Sequence, residues 1–267
     1  MTELFKANFV ADLIYFRRSR LLLGFALVFL LLISLSIMPS LFAASGVQKF
    51  NILVQIVESL HFFTQIFAAA LALMVVSSHL RNRSLKMVFT KPCTPALWLA
   101  SAFAAAIAVI LAISITVLVC SLGLSFCWHL SVKTGLLFSA LDNLIASVGT
   151  LVYVALMAML LHPAIAVIVV LVFNANTFYG AQFQMLALMR AGNSSTTLRV
   201  LERMFHYLYL IAPVFHAFED KTSTVVSSLR VTHGEWRYLA YSLGYVLVLS
   251  AFCYCVALFA LQRKRHI

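Results

Sequence analysis

A soluble core can hide one apolar run of about twenty residues, but this chain has six such runs, at 21–38, 53–77, 96–119, 141–161, 164–180 and 238–261. Crossing a bilayer core takes about 20 residues of helix, and a chain inside lipid must satisfy its own backbone groups, so the runs read as helices. Composition points the same way. Hydrophobic residues make up 63% of the chain and charged residues 10%, whereas about a quarter of a soluble domain is charged. The mean hydropathy is +1.02. The expected fold class is an all-α polytopic membrane protein, with residues 1–267 forming a single transmembrane domain of six spans.

The net charge of +11 does not point to nucleic acid. No basic face with interleaved aromatics occurs, and the basic residues gather at the ends of apolar runs, as membrane insertion requires. One side would hold Lys6, Arg17, Arg18 and Arg20, then Arg81, Arg83, Lys86 and Lys91, then Arg263, Lys264 and Arg265. Short basic segments set orientation, so both termini are expected in the cytoplasm. The five cysteines, Cys93, Cys120, Cys127, Cys253 and Cys255, have neither metal-ligand spacing nor a disulfide framework, and no metal site is expected.

Four stretches carry more than hydropathy. Residues 2–20 are amphipathic, with Phe5, Phe9, Leu13 and Phe16 near helical spacing, and are expected to form an interfacial helix lying flat on the inner surface. The basic segment 78–95 holds no acid. Its Leu85, Val88 and Phe89 fall at i, i+3 and i+4 ahead of Pro92, which predicts a short amphipathic helix. Glu58, His61 and Gln65 share one helical face, with Gln65 inside the membrane and the other two near the far interface. They either share a metal or a proton or form an interfacial polar cluster. Asn174 and Asn176, in the row FNANTFYG, can bind a polar cargo or make cross-helix and capping bonds. The outer segment 181–236 contains a helical pattern from Thr197 to Ile211, with Leu198, Leu201, Met204, Phe205, Leu208 and Ile211 on its apolar face.

No phosphate-binding loop, dinucleotide fingerprint, zinc-protease helix or nucleophile elbow is present. The chain is therefore not expected to be an enzyme, and any ATP hydrolysis must come from another subunit.

The order of elements resembles the permease subunit of a type-2 ABC exporter: an amphipathic N-terminal helix, six spans, a cytoplasmic helix between spans two and three, and a large outer segment before span six. The run Ser84-Leu85-Lys86-Met87-Val88-Phe89-Thr90-Lys91-Pro92 is similar to that family's Gly-Thr-Leu-Glu-Leu-Leu-Leu-x-x-Pro motif. Arg83 stands where glycine is usual, and His79 and Arg81 stand where acids are common. The resemblance implies two permeases, identical or homologous, forming a pathway in a bacterial inner membrane. It also implies two separate ATP-binding cassette subunits that carry ATP and magnesium. Arg81, Arg83, Leu85, Lys86, Val88 and Phe89 would couple this chain to them, with the basic residues meeting acids or anionic membrane lipids.

A pathway between spans two and five would expose Phe62, Phe63, Gln65, Phe67, Phe173, Asn174 and Phe178, which suits a lipid-like or amphipathic cargo. Two alternatives stand beside this reading. One is a gradient-driven carrier using Glu58 and His61, and the other is a membrane anchoring or assembly subunit with no pathway.

Overall fold

The computed structural model describes residues 2–38, 45–76, 94–131, 133–173, 175–190, 196–212 and 233–265. Nearly all of them are helical, and no strand occurs among them. The helices are α1 (Thr2–Arg18), α2 (Arg20–Ile37), α3 (Gly46–Val76), α4 (Pro95–Cys127), α5 (Lys133–Leu160), α6 (Pro163–Val172), α7 (Ala175–Arg190), α8 (Thr196–Ile211) and α9 (His233–Arg265).

Local chemistry sets several helix ends. Before α3, the Gln48 backbone N–H donates to Ser45 Oγ at 3.3 Å and the Ser45 N–H donates to Gln48 Oε1 at 3.4 Å. This reciprocal pair satisfies donors that a helix start leaves open. The Thr94 side chain accepts from the Leu97 N–H ahead of α4, and Pro95 opens that helix, where its missing N–H costs nothing. At the other end of α4, His129 takes a left-handed φ of 56°. The His129 N–H then donates to the Phe126 carbonyl and the Leu130 N–H to the Ser125 carbonyl, closing off the helix.

α5 is the hub, packing against α3, α4, α6 and α9. The main core joins Leu71 and Ala72 of α3, Ala102, Ala105 and Ala106 of α4, Leu151 and Ala155 of α5, and Cys253 and Ala257 of α9. Small residues let these backbones approach closely. α2 joins through ring contacts, with Phe25 stacked on Phe63 at 5.1 Å and tilted against Phe67 at 4.6 Å.

These contacts fix direction. Leu53 and Val57, early in α3, meet Leu136, early in α5, beside Leu118 and Leu122, late in α4, and Trp128 just after it. Trp236, at the start of α9, sits edge-on to Phe138. Near the opposite end, the Tyr254 hydroxyl donates to the Ala96 carbonyl at 2.7 Å. α3, α5 and α9 thus run one way and α4 the other. The ends that flank residues 77–93 lie at the same end of the bundle as the end of α9.

Among the described residues, four helices are long and apolar enough to cross a membrane: Gly46–Val76, Pro95–Cys127, Thr134–Leu160 and Gly234–Ala260. α1 and α2, bent by 54° at Ser19, make a fifth if they are counted as one span. The expected run 164–180 is divided: α6 has 10 residues, and helix resumes at Ala175 as α7. The row FNANTFYG at the interruption carries two asparagines, Asn174 and Asn176, a residue type of low helix propensity. α3, α4, α5 and α9 all outrun their expected spans, because a helix need not stop where hydrocarbon does.

Candidate functional site

The strongest polar feature inside the bundle is a seam between α3 and α5. His61 Nδ1 lies 3.3 Å from Ser139 Oγ, and Gln65 Nε2 donates to Asn143 Oδ1 at 3.2 Å. Both pairs are 78 positions apart in sequence. A constant difference means that the two helices run parallel and in register, with each i, i+4 pair facing its counterpart one turn at a time. His61, Ser139, Asp142, Asn143 and Ser147 are all buried.

Asp142 occupies a different strip of α5 from the two hydrogen-bonding residues. Ser139 and Asn143 face α3, while Phe138 and Ile145 pack with Leu239 and Val246 of α9. At about 100° per residue, Asp142 falls between those two faces. The seam therefore brings one imidazole, one carboxylate and two amides into the interior of a membrane bundle, where ionisable groups are costly and commonly functional. Among the described residues no three His, Cys, Asp or Glu side chains gather as metal ligands. The arrangement can hold two helices in register, and it gathers several polar side chains between α3 and α5.

The residues expected from the sequence are distributed unevenly around this seam. His61 sits at the midpoint of α3 rather than near its end, because the helix begins at Gly46. Gln65 joins the seam, whereas Glu58 is exposed. Phe62 is 65% exposed and points away from the bundle. Phe63 and Phe67 are used in packing against Phe25. Phe173 and Phe178 meet edge-on at 5.4 Å, and Phe178 stacks on Phe205 at 6.4 Å, so they form the base of the α7–α8 pair. Asn174 and the side chain of Asn176 lie outside the described residues, as does the whole coupling stretch with Arg81, Arg83, Leu85, Lys86, Val88 and Phe89.

The interfacial helix differs from its expected pose. Phe16 is fully buried, and Phe9 and Leu13 pack against the main core. Phe5 stacks on Phe9, and the buried Asp12 shares their stripe. α1 packs against α4 and is bent 54° from α2, so its apolar stripe is spent on protein. Leu4, Val10, Ile14 and Tyr15 remain exposed.

Sequence reasoning missed Ser139, Asp142 and Asn143. The available signal was a polar i, i+4 pair in the row SALDN, matched by His61 and Gln65 at the same spacing. Compared with known proteins, the chain matches no family model, no curated protein and no solved structure.

Proposed function

We propose that this chain is the membrane-spanning permease of an ATP-driven exporter, working as a pair and coupled to separate ATP-binding subunits. The observation that carries this reading is the order and placement of elements. An amphipathic α1 docks on α4, the basic segment 78–95 joins α3 to α4 at the end of the bundle where α2 starts and α9 finishes, and a helical pair precedes the last long helix. A soluble partner pressing on 78–95 would push on α3 and α4 directly, and through the seam on α5. In this reading Leu85, Val88 and Phe89 seat in a groove of that partner, and Arg81, Arg83 and Lys86 meet its acids or anionic lipid. The cargo is lipid-like or amphipathic, in keeping with the apolar surfaces around the polar seam.

The test is to replace Leu85 and Phe89 together by aspartate in the complex purified with its partners. ATP hydrolysis is expected to continue while transport is lost. Unchanged assembly and transport would sink the assignment. Gradient-driven carriage is the second reading. It draws support from the buried His61 and Asp142, but the exposure of Glu58 takes away the acid it relied on. Purification without any ATPase subunit, together with transport driven by a proton gradient in vesicles, would favour it.

A further inference from the structure

α7 and α8 pack chiefly on each other and form an antiparallel hairpin, with Phe178 early in α7 buried beside Ala212 just past the end of α8. Ring contacts fix its register. Phe178 stacks on Phe205, Tyr179 lies against Tyr209, and one turn beyond Phe178 the side chain of Gln182 reaches both Glu202 and His206. Glu202 and His206 are themselves one turn apart, so α8 presents both to the same point of α7. That i, i+4 spacing is the one with which a single helix offers two ligands to zinc.

Gln182 Nε2 donates to Glu202 Oε1 at 2.8 Å and lies 3.3 Å from His206 Nδ1. An ionised carboxylate only accepts, so Glu202 fixes which end of the amide faces it. The same nitrogen faces Nδ1, which makes Nδ1 an acceptor and puts the ring proton on Nε2. A carboxylate oxygen and an imidazole nitrogen thus aim their lone pairs at one place. Zinc bonds of about 2.0–2.2 Å leave neighbouring ligand atoms about 3.0–3.5 Å apart, close to the spacing of Gln182 from each of the other two. A half-turn of the amide exchanges Nε2 for Oε1 and makes Gln182 a third ligand.

The surrounding charge decides which ions are accepted. Glu202 is the sole acid of the two helices, and Arg190, Arg199 and Arg203 are exposed on them. Calcium and magnesium depend on several oxygen ligands, and one carboxylate among arginines does not hold them. An imidazole beside a carboxylate suits zinc, nickel and copper. Cysteine spacing in the sequence could not reveal such a site, because no cysteine takes part in it.

We infer that Gln182, Glu202 and His206 bind a divalent transition ion of the zinc class, which clasps α7 to α8. The inference needs only the hairpin and stands apart from the exporter reading. To test it, full-length protein purified in detergent and stripped by a chelator is titrated with zinc against a chromophoric competitor. Binding is expected in the micromolar range, and His206→Gln and Glu202→Gln should each weaken it about tenfold or more. Gln182→Glu, which supplies a second carboxylate in place of the amide, should tighten it about tenfold. No zinc bound at about 100 μM would overturn the inference. So would an affinity unchanged in His206→Gln, or one unchanged in Gln182→Glu. Should a variant fail to fold, the unmodified protein decides. Zinc should slow the reaction of His206 with diethyl pyrocarbonate, read by mass spectrometry, and leave the exposed His129 and His162 unaffected. Equal modification of His206 with and without zinc would sink the proposal.

Discussion

α5 and the α7–α8 hairpin solve opposite packing problems with the same helical geometry. α5 is touched by α3, α4, α6 and α9 and spends its small and polar residues, Ser139, Ala146, Ser147 and Ala155, on letting them close in. The hairpin helices pack chiefly on each other, bury a few aromatic rings at one end, and leave Phe183, Val200, Tyr207 and Leu210 facing outward. Around α5, shape must be specified from several directions at once. In the hairpin only one line of contact is specified, and the surroundings supply the rest.

This contrast can be broken in three places, taken here in falling order of effect. Leu151 is fully buried at the centre of the main core, and Leu151→Ala should lower stability by about 2–5 kcal/mol, read as the shift in an SDS unfolding curve. A loss no larger than a surface change would show that α5 is not the hub. Next, Gln65→Leu and Asn143→Leu, alone and combined, should give a coupling of about 0.6 kcal/mol, the usual strength of a hydrogen bond between helices in a membrane. Strict additivity would mean that the seam pair makes no contribution. Last, Gln182→Ala removes the donor to Glu202, yet the global midpoint should move by less than about 0.5 kcal/mol. Faster amide exchange should appear in α7 and α8 alone, and a change spreading to α5 would tie the hairpin to the core.

Part of this architecture was legible in the chain and part was not, for identifiable reasons. The expected 21–38 and Thr197–Ile211 differ by a single residue from the observed Arg20–Ile37 and Thr196–Ile211, because apolar runs and 3.6-residue periodicity report local helix directly. The start of α3 at Gly46 was missed although Ser45 and Gln48 form a capping box, since hydropathy reports contact with lipid rather than helix continuation. The stripe of Phe5, Phe9, Leu13 and Phe16 was visible, but its protein partner was not: amphipathicity says that a face is covered, and Phe9, Leu13 and Phe16 pack on the main core with α1 lying against α4. The seam was harder still, because it depends on which helices become neighbours, and periodicity within one helix carries no such information.

The shared register of α3 and α5 has a consequence for how the chain enters the membrane. Chains are made from the N-terminus, so His61 and Gln65 are already in the bilayer when Ser139, Asp142 and Asn143 arrive. The later polar group enters lipid beside a waiting partner, which lowers the cost of its insertion. α9, which packs on Phe138 and Ile145 of α5, arrives last. Until then the apolar flank of α5 that carries Phe138 and Ile145 is without its helix, and any chaperone or insertase attending synthesis has that flank to guard.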